Sequence, residues 1–309
     1  MSILSFLPDV KEVNMASDET ILEASLRAGL PHAHACGGVA RCSTCRVVVV
    51  KGLEFCGPRN EAESVMAEKL HFSPEIRLAC QTAPQGNVTV RRMVLDDEDA
   101  RHSARLAAQK TFASVGEDKE IAVLFADIRG FTSFTERLPP YDVVYVLNRY
   151  FLHMGQAIGA HGGHINNYMG DGLMALFGVS GTPDAPLRAV SAGLAMLAEV
   201  DKLKPVFHEI YGLDFDIGVG VHFGEVILGS LGAENQQRLT VIGDAVNFAS
   251  RIESANKANG TRLLISEELY EIVAPHVQTG RHFPHTAIKG KSGSYQLLEI
   301  IGLNPPESV

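Results

Sequence analysis

Short runs of alternating apolar and polar residues open the chain, and they indicate β-strands. A stretch of helical periodicity follows, with Asp18 or Thr20 available to cap the helix and Gly29 to end it. A third strand is expected directly after a glycine-rich loop. The predicted elements are two strands, one helix and one strand, at residues 3–7, 12–15, 21–29 and 46–51.

The pattern changes at about residue 118, where longer amphipathic segments begin. The clearest is a helix at residues 141–159, whose apolar residues fall on one face at helical spacing. This part of the chain is predicted to form a βαββαβ core, with its helices on one side of an antiparallel sheet. In chain order we expect a strand, a helix, a hairpin, a helix, a hairpin and a helix at residues 121–125, 141–159, 164–177, 186–203, 215–230 and 245–257.

A segment of different composition separates these two parts. Residues 96–99 are all acidic, and residues 100–113 are rich in good helix formers. We therefore predict an α+β protein with one domain at 1–93, a helical linker at 94–117 and a second domain at 118–302. The charge agrees with this division, because the first 95 residues hold ten basic and ten acidic side chains and the net charge of −9 arises in the rest.

Composition excludes several classes of protein. The net negative charge argues against a nucleic-acid partner. The longest apolar run is far shorter than the roughly 20 residues that a membrane span requires, and the first residues lack a basic stretch before an apolar one. We expect a cytoplasmic protein without membrane insertion.

All five cysteines lie within the first 80 residues, which in a cytosolic chain favours a metal centre over disulfides. Three of them, Cys36, Cys42 and Cys45, share the glycine-rich loop, and Cys80 follows after 34 intervening residues. Four thiolates are the ligand set of a 2Fe-2S cluster. The alternative for the pair Cys42 and Cys45 alone is half of a zinc site.

Three other residues near this loop are given no ligand role. Cys56 matches no ligand position and is interpreted as a partly buried spare thiol. His32 and His34 could replace cysteines in a Rieske-type centre, but four cysteines already suffice, so both are interpreted as loop histidines.

The cysteine spacing C-x5-C-x2-C, with the last cysteine in the sequence RLACQ, resembles the 2Fe-2S ferredoxins and, within them, the adrenodoxin subgroup. The resemblance implies a β-grasp fold, in which a mixed sheet wraps across one helix. It also implies backbone N–H groups that bond the cluster sulfurs, with Gly37 and Gly38 allowing the close approach. The implied ligands of the 2Fe-2S cluster are Cys36, Cys42, Cys45 and Cys80.

Polar residues at sharp turns are the candidates for chemistry in the second domain. Asp127 ends an apolar strand and Asp171 lies at a hairpin tip, and two carboxylates that converge from strand ends can hold Mg²⁺ or Mn²⁺. Asn247 and Arg251 are one helical turn apart, and an amide beside a guanidinium suits a ribose and a phosphate. Taken singly, each of these residues is as well explained by a turn or a solvated helix face.

The stretches LFADIRGFT (124–132), MGDGLMA (169–175) and TVIGDAVN (240–247) resemble the metal and transition-state motifs of the class III nucleotidyl cyclases. The resemblance covers the whole second domain. It implies two Mg²⁺ or Mn²⁺ ions held by Asp127, Asp171 and the carbonyl group of Ile128. The backbone implied to face the triphosphate is that of Gly130, Phe131 and Thr132.

The same resemblance implies that Asn247 orients the ribose and that Arg251 stabilises the α-phosphate in the transition state. Lys289 falls where the family has a lysine on the terminal phosphates, and Lys291 is a weaker alternative. The family builds its site between two chains, so a homodimer with two equivalent sites is implied.

The base-reading positions leave the choice of substrate open. Asn167 stands where many adenylate cyclases have a lysine, and Thr240 stands where aspartate is frequent. Asn and Thr can each donate or accept, so these side chains fit adenine and could tolerate guanine. The glutamate of a guanine reader is missing, which favours ATP.

The resulting hypothesis is a redox-regulated adenylate cyclase that forms 3′,5′-cyclic AMP and pyrophosphate by a two-metal mechanism, with the 2Fe-2S domain as sensor. The alternatives are a guanylate cyclase and an electron-transfer ferredoxin fused to an inactive cyclase-like module. A diguanylate cyclase is disfavoured, because its Gly-Gly-Asp-Glu-Phe type of signature is absent. The electron donor and the redox state that activates the enzyme are not specified by the sequence.

Overall fold

A computed structural model describes residues 2–93, 117–181, 183–231, 238–286 and 294–305. The chain divides into two compact units, Met1–Glu117 and Asp118–Val309. The helix predicted for the linker at 94–117 lies outside the described residues, except that Glu117 begins a strand.

The N-terminal unit is a five-stranded mixed sheet packed against a short helix. The sheet order is β2-β1-β5-β3-β4, with β1 parallel to β5 and the remaining pairs antiparallel. Helix α1 (Ile21–Arg27) lies in the core of this unit, where Ile21 and Ala24 are fully buried. The strands are β1 (Ile3–Leu7), β2 (Lys11–Asn14), β3 (Arg46–Lys51), β4 (Ile76–Leu78) and β5 (Val88–Arg92).

The start of α1 agrees with the capping residues offered by the sequence, and the structure selects Thr20. Its hydroxyl accepts from the Glu23 backbone N–H at 3.2 Å, while the Glu23 carboxylate accepts from the Thr20 N–H at 2.8 Å. This reciprocal capping box satisfies two backbone donors at the start of the helix.

Helix α2 (Glu61–Lys69) is an element that the hydrophobic pattern did not predict. Its buried residues are Glu63 and Ala67, so the helix lacks an apolar stripe. Glu63 is buried because its carboxylate pairs with Arg77 at 2.8 Å and accepts the Leu78 N–H at 2.7 Å. A buried ion pair therefore anchors α2 against β4.

The C-terminal unit is built on an eight-stranded sheet in the order β12-β13-β11-β9-β6-β8-β7, with β10 paired to β9. Its helices are α3 (Phe131–Thr135), α4 (Pro140–Ala160), α5 (Ala185–Tyr211), α6 (Asp244–Asn259) and α7 (Glu267–Val273). Its strands are β6 (Glu117–Ile128), β7 (His164–Met169), β8 (Gly172–Phe177), β9 (Ile217–Leu231), β10 (Arg238–Ile242), β11 (Leu263–Ser266), β12 (Val277–Thr286) and β13 (Tyr295–Leu303).

The expected placement of all helices on one side of an antiparallel sheet is wrong in two respects. Alternate residues of β6 point to opposite faces: Leu124 packs in a cluster with α4, α5 and α7, whereas Val123 packs in a cluster with α6. Helix α6 therefore covers the face opposite the other long helices. The sheet is also mixed, because β11 runs parallel to β9.

The hairpin predicted at residues 215–230 is also wrong, because β9 is a single strand of 15 residues that pairs with β10. One of its glycines, Gly220, allows α6 to approach the strand closely. A Cβ added to Gly220 would lie 2.1 Å from the backbone nitrogen of Glu253 on that helix. The hairpin predicted at 164–177 is confirmed as β7 and β8, which pair in antiparallel fashion.

Candidate active site and cluster-binding loop

The four candidate cluster ligands form two pairs of sulfurs in the N-terminal unit. The Sγ atoms of Cys45 and Cys80 lie 3.5 Å apart. The thiol of Cys42 hydrogen-bonds Cys36, and this contact, with backbone N–H donors of the loop, lowers the pKa of Cys36 to about 5. The contact with Cys45 likewise lowers the pKa of Cys80, to about 6.

The arrangement of the sulfurs in two pairs fits the ligand set of a 2Fe-2S cluster. Each iron of a 2Fe-2S cluster takes two protein ligands, whereas a tetrahedral zinc site needs all four sulfurs around one point. Within the described residues, no three His, Cys, Asp or Glu side chains come together where one metal ion could be held. The two pairs of thiols therefore fit a two-iron cluster.

Hydrogen-bond donors surround these sulfurs, as the ferredoxin resemblance implies. The Gln81 side-chain amide donates to Cys80 Sγ at 3.4 Å, and Thr44 Oγ1 lies 3.1 Å from Cys42 Sγ. The backbone N–H of Gly38 hydrogen-bonds Cys36, and Gly37 and Gly38 have φ values of 73° and 90°. Glycine is suited to this left-handed backbone, which brings amide groups up to the cluster ligands.

His32 is a loop histidine, as interpreted, but its side chain is only 3% exposed and both of its ring nitrogens have hydrogen-bond partners. Nδ1 lies 2.8 Å from Ser25 Oγ and Nε2 lies 3.2 Å from the Cys45 carbonyl oxygen. Burial lowers the pKa of His32 to about 4, so the ring is neutral near pH 7. A neutral ring has one N–H, which Nε2 donates to the Cys45 carbonyl oxygen, and the single proton of the Ser25 hydroxyl is shared between His32 Nδ1 and the Leu22 carbonyl oxygen, each 2.8 Å away.

Cys56, the fifth cysteine, is more deeply buried than expected. Its thiol is 5% exposed, and its Sγ lies 3.8 Å from the Gly52 carbonyl oxygen. Burial raises the pKa of this thiol, so it remains protonated near neutral pH.

In the C-terminal unit the two candidate metal aspartates meet at the end of the central strands. Asp127 belongs to β6, and Asp171 lies in the turn between β7 and β8. A Cβ added to Gly172 would lie 3.1 Å from Asp127 Oδ1, so glycine leaves room for that carboxylate. Burial and the charge of Asp127 raise the pKa of Asp171 to about 6.

These carboxylates line a cavity of about 330 Å³. Ile128, Gly130, Phe131 and Thr132 line the same cavity, as the cyclase resemblance implies. Gly130 has a φ of 67° and precedes α3, which turns the backbone toward the cavity. Two carboxylates and nearby backbone form a donor set suited to a hard divalent cation whose other ligands come from water and substrate phosphates.

Four further residues that line the cavity were missed by sequence reasoning: Arg129, Glu253, Ser254 and Lys257. Burial and the charge of Asp127 raise the pKa of Glu253 to about 7. A spacing of four places Glu253 and Lys257 on one helix face, but many solvated faces share that signal. Nothing in a single sequence places this face against the aspartates.

Tyr150, on α4, is fully buried beneath this region, and its hydroxyl has no hydrogen-bond partner in the described part of the chain. Burial and the nearby charges of Asp127, Asp171 and Glu253 all raise its pKa. The centroid of its ring lies 5.6 Å from that of Phe215. The apolar ring accounts for the place of Tyr150 in the hydrophobic pattern of the helix, but that pattern did not indicate a position beneath the aspartates.

The candidate transition-state residues lie elsewhere on the same unit. Among the described residues, Asn247 and Arg251 are not part of the cavity that holds Asp127 and Asp171. Both lie on α6, but roughly 100° of rotation per residue directs Arg251 to a different side of the helix from Glu253. One chain therefore does not bring the aspartates and this pair together.

The candidate base-reading residues are both described. Asn167 lies on β7 opposite Met174 of β8, and Thr240 lies on β10 opposite Gly229 of β9. Lys289 and Lys291 lie outside the described residues.

A cavity at the strand ends, lined by two carboxylates that suit a hard divalent cation, is able to accept the phosphates of a nucleotide. The chain belongs to the family described as the adenylate and guanylate cyclase catalytic domain, whose model matches residues 114–298. A second model, the 2Fe-2S iron-sulfur cluster binding domain, matches residues 7–85, which confirms the predicted ferredoxin-type domain.

Curated relatives are similar over the C-terminal unit. The chain is 35% identical over 188 residues to a terminal-differentiation-specific adenylate cyclase of Dictyostelium discoideum, and 35% identical over 185 residues to an adenylate cyclase of Anabaena cylindrica. Each match covers 59% of this chain but only 9% and 37% of those proteins.

Solved structures agree on the fold. The adenylyl cyclase CyaB from P. aeruginosa matches with a TM-score of 0.57 and 29% identity, and the guanylyl cyclase Cya2 with 0.58 and 33%. Each match covers 63% of this chain and 98% of the solved chain. Among the residues that the model describes, no helix is both long and apolar enough to cross a membrane.

Proposed function

We propose that the protein is a redox-regulated adenylate cyclase that converts ATP to 3′,5′-cyclic AMP and pyrophosphate as a homodimer. The observation that carries this proposal is the separation of two half-sites on one chain. Asp127 and Asp171 share a cavity, while Asn247 and Arg251 are not part of it. A second chain in head-to-tail arrangement would supply the missing half to each site.

In the metal half-site, Asp127, Asp171 and the Ile128 carbonyl would hold two Mg²⁺ or Mn²⁺ ions. Bound there, the ions supply activation of the ribose 3′-hydroxyl and neutralisation of charge as it attacks the α-phosphate in line. The backbone of Gly130, Phe131 and Thr132, which lines the same cavity, would face the triphosphate.

In the transition-state half-site, the partner's copy of this chain would place Asn247 against the ribose and Arg251 against the α-phosphate. The Arg251 guanidinium stabilises charge that develops in the transition state, so its contribution is to turnover. Lys289 would bind the terminal phosphates. No protein nucleophile is required, because the ribose hydroxyl is the attacking group.

Exposed apolar side chains on the C-terminal unit support a homodimer. Tyr168 on β7 is 52% exposed and Ile242 on β10 is 49% exposed. Ile242 pairs in register with Ile227 of β9, which is also exposed. Apolar residues exposed on strands are suited to burial against a second chain.

ATP is favoured as the substrate because Asn167 and Thr240 fit adenine, and because the two curated relatives named above are adenylate cyclases. GTP remains the second candidate, since Asn and Thr can also pair with guanine and a guanylyl cyclase has a similar fold. Parallel assays with ATP and GTP decide between them. A kcat/KM for GTP equal to or above that for ATP would contradict the assignment.

The 2Fe-2S domain would act as the sensor. Its four thiolates fit a cluster that gains and loses one electron, and residues 94–117 connect it to the strand that carries Asp127. We propose that the redox state of this unit shifts the arrangement of the two catalytic domains in the dimer.

Mixing inactive chains tests the shared site. Asp127→Ala and Arg251→Ala chains should each be inactive, yet a mixture should regain activity, because a mixed dimer keeps one site with two intact halves. Native mass spectrometry would verify that heterodimers form. Heterodimers without activity would overturn the shared site.

A further inference from the structure

The side chain of Arg129 lies in an unexpected position beside the metal half-site. Arg129 directly follows Ile128, and its backbone N–H donates to the Asp216 carbonyl at 2.8 Å. Arg129 lines the cavity of the two aspartates, and its guanidinium Nη2 donates to the Thr261 carbonyl at 2.7 Å. The cyclase resemblance gives this residue no role.

Two neighbours define where this guanidinium sits. A Cβ placed on Gly218 of β9 would lie 3.0 Å from Arg129 Nη2 and 2.6 Å from Glu253 Oε1. The two charged groups therefore border the same space beside Gly218, and the absence of a side chain there leaves room for both. The charge of Arg129 also lowers the pKa of Glu253, against the larger effect of burial.

The guanidinium retains donors for a ligand. Arginine carries five N–H donors in a planar fork, and within the described residues its hydrogen bond is the single one to Thr261. The fork matches the geometry of a phosphate group. Because one amino group is fixed by Thr261, little side-chain freedom would be lost when the others bind.

The charge of the filled site favours a further cation. Two divalent cations balance the four negative charges of a fully ionised triphosphate, so Asp127 and Asp171 leave an excess of negative charge. A fixed cation at the cavity wall offsets that excess in a partly desolvated site. Arg129, which lines that cavity, is half-buried, whereas Lys257 is exposed.

We propose that the Arg129 guanidinium binds the terminal phosphates of the nucleoside triphosphate held by its own chain, and that Glu253 is the residue that positions it. This inference rests on the proposed function, because it requires a triphosphate in the cavity of Asp127. It assigns α6 a role toward its own chain through Glu253, in addition to the role toward the partner chain through Asn247 and Arg251.

Nucleotide affinity tests the contact without turnover. A non-hydrolysable ATP analogue and AMP would be titrated by calorimetry in Mn²⁺ into the full-length dimer. Arg129→Gln should weaken binding of the analogue by tenfold or more and binding of AMP by less than threefold, because AMP lacks the terminal phosphates. Lys257→Gln, which removes an exposed cation from the same cavity, is the matched control and should weaken the analogue by less than threefold.

Two variants separate positioning from mere loss of charge. Gly218→Ala retains both charged side chains but displaces their ends. It should therefore weaken binding of the analogue by threefold or more without weakening binding of AMP. Glu253→Gln should do the same and should leave Mn²⁺ affinity, measured by electron paramagnetic resonance, within twofold of wild type. Equal loss of AMP and analogue, or equal effects of Arg129→Gln and Lys257→Gln, would overturn the proposal.

The mixed dimer shows which chain Arg129 serves. Placed in the Arg251→Ala chain, whose aspartates are intact, Arg129→Gln should reduce the recovered activity at least tenfold more than when placed in the Asp127→Ala chain. Equal losses in the two arrangements would overturn the own-chain assignment. If the parent mixture forms heterodimers but recovers no activity, the shared site fails, and the binding titrations still decide the role of Arg129.

Discussion

Cys45 Sγ and Cys80 Sγ lie 3.5 Å apart although 35 positions separate them in the sequence. The contact joins the cysteine-rich loop to Cys80, which lies two residues after the end of β4. The fourth ligand is therefore positioned by the sheet rather than by the loop. Folding of the sheet and assembly of the ligand set are therefore coupled.

We expect anaerobically purified protein to contain about two iron atoms per chain, because four thiolates in two pairs match that cluster. Cys80→Ser should lose the cluster, whereas Cys56→Ser should retain it, since the Cys56 thiol is bonded away from the other sulfurs. Iron and sulfide analysis with visible absorbance measures both. Zinc-loaded protein that cannot be reconstituted with iron would contradict this prediction.

His32→Leu should lower the reduction potential of the N-terminal unit. The substitution removes the N–H donor to the Cys45 carbonyl, 3.2 Å from Nε2, and a donor near a ligand stabilises the added negative charge of the reduced state. It should also destabilise the fold by about 1–3 kcal/mol, because Cys45 and Ser25 lose a buried partner. Potentiometric titration measures the first effect and urea unfolding the second.

His34→Leu is the matched control for this prediction. His34 precedes the same loop, but its ring contacts the His32 carbonyl at 2.7 Å rather than a cluster ligand. An equal shift of potential in both variants would show that the effect of His32 is not specific to Cys45.

Asp171→Asn should stabilise the metal-free protein above pH 6. The pKa of Asp171 is raised from 3.8 to about 6, so the folded state binds this proton more tightly than the unfolded state does. Stability contributed by the protonated group is therefore present below about pH 4 and is lost as pH rises to about 6. Asparagine removes the repulsion with Asp127, a gain of about 1 kcal/mol after solvent screening.

Thermal unfolding in a chelator at pH 5 to 8 measures this difference. Added Mn²⁺ should reverse the order, because the ion binds folded wild type better than the variant. A variant less stable than wild type in chelator at pH 8 would contradict the repulsion.

Cyclase activity should differ between the two redox states by a factor of roughly 5 to 150, the range of common allosteric couplings. A single connecting segment, residues 94–117, joins the two units, so two glycines inserted near Ser114 should reduce this ratio while cluster content and metal-dependent catalysis persist. Activity would be measured at saturating and limiting ATP in one preparation, oxidised and then reduced. Equal activity in both states would leave the N-terminal unit without a sensor role.

Patterns with a strong local cause were predictable from the sequence. The strands and helices of the C-terminal unit follow hydrophobic period, and α1 follows a capping box. The hairpin predicted at 215–230 is wrong because β9 is one continuous strand. Glycine can serve in a turn or in close packing, and Gly220 serves in close packing against a neighbouring helix. Helix α2 was missed because its buried side is an ion pair formed by Glu63 with a distant arginine.

The residues of the candidate sites also divide into those with a local sequence signal and those without one. Asp127, Asp171 and the four cysteines stand in motifs, so they could be named from the chain alone. Arg129 and Glu253 acquire their positions from contacts with residues far along the chain, such as the Thr261 carbonyl that holds Arg129. No local pattern encodes such contacts, and they become visible only when α6 is packed on β9.

The close packing of α6 on β9 has a consequence for the kinetics of the proposed dimer. The helix cannot lift from the strand without leaving Gly220, where its backbone comes so near that even a methyl group would not fit. It therefore moves together with the sheet, carrying Glu253 toward one nucleotide and Arg251 toward the other. In the proposed dimer, a displacement of α6 caused by nucleotide at one active site would therefore reach the other site as well, so the two turnovers would be interdependent.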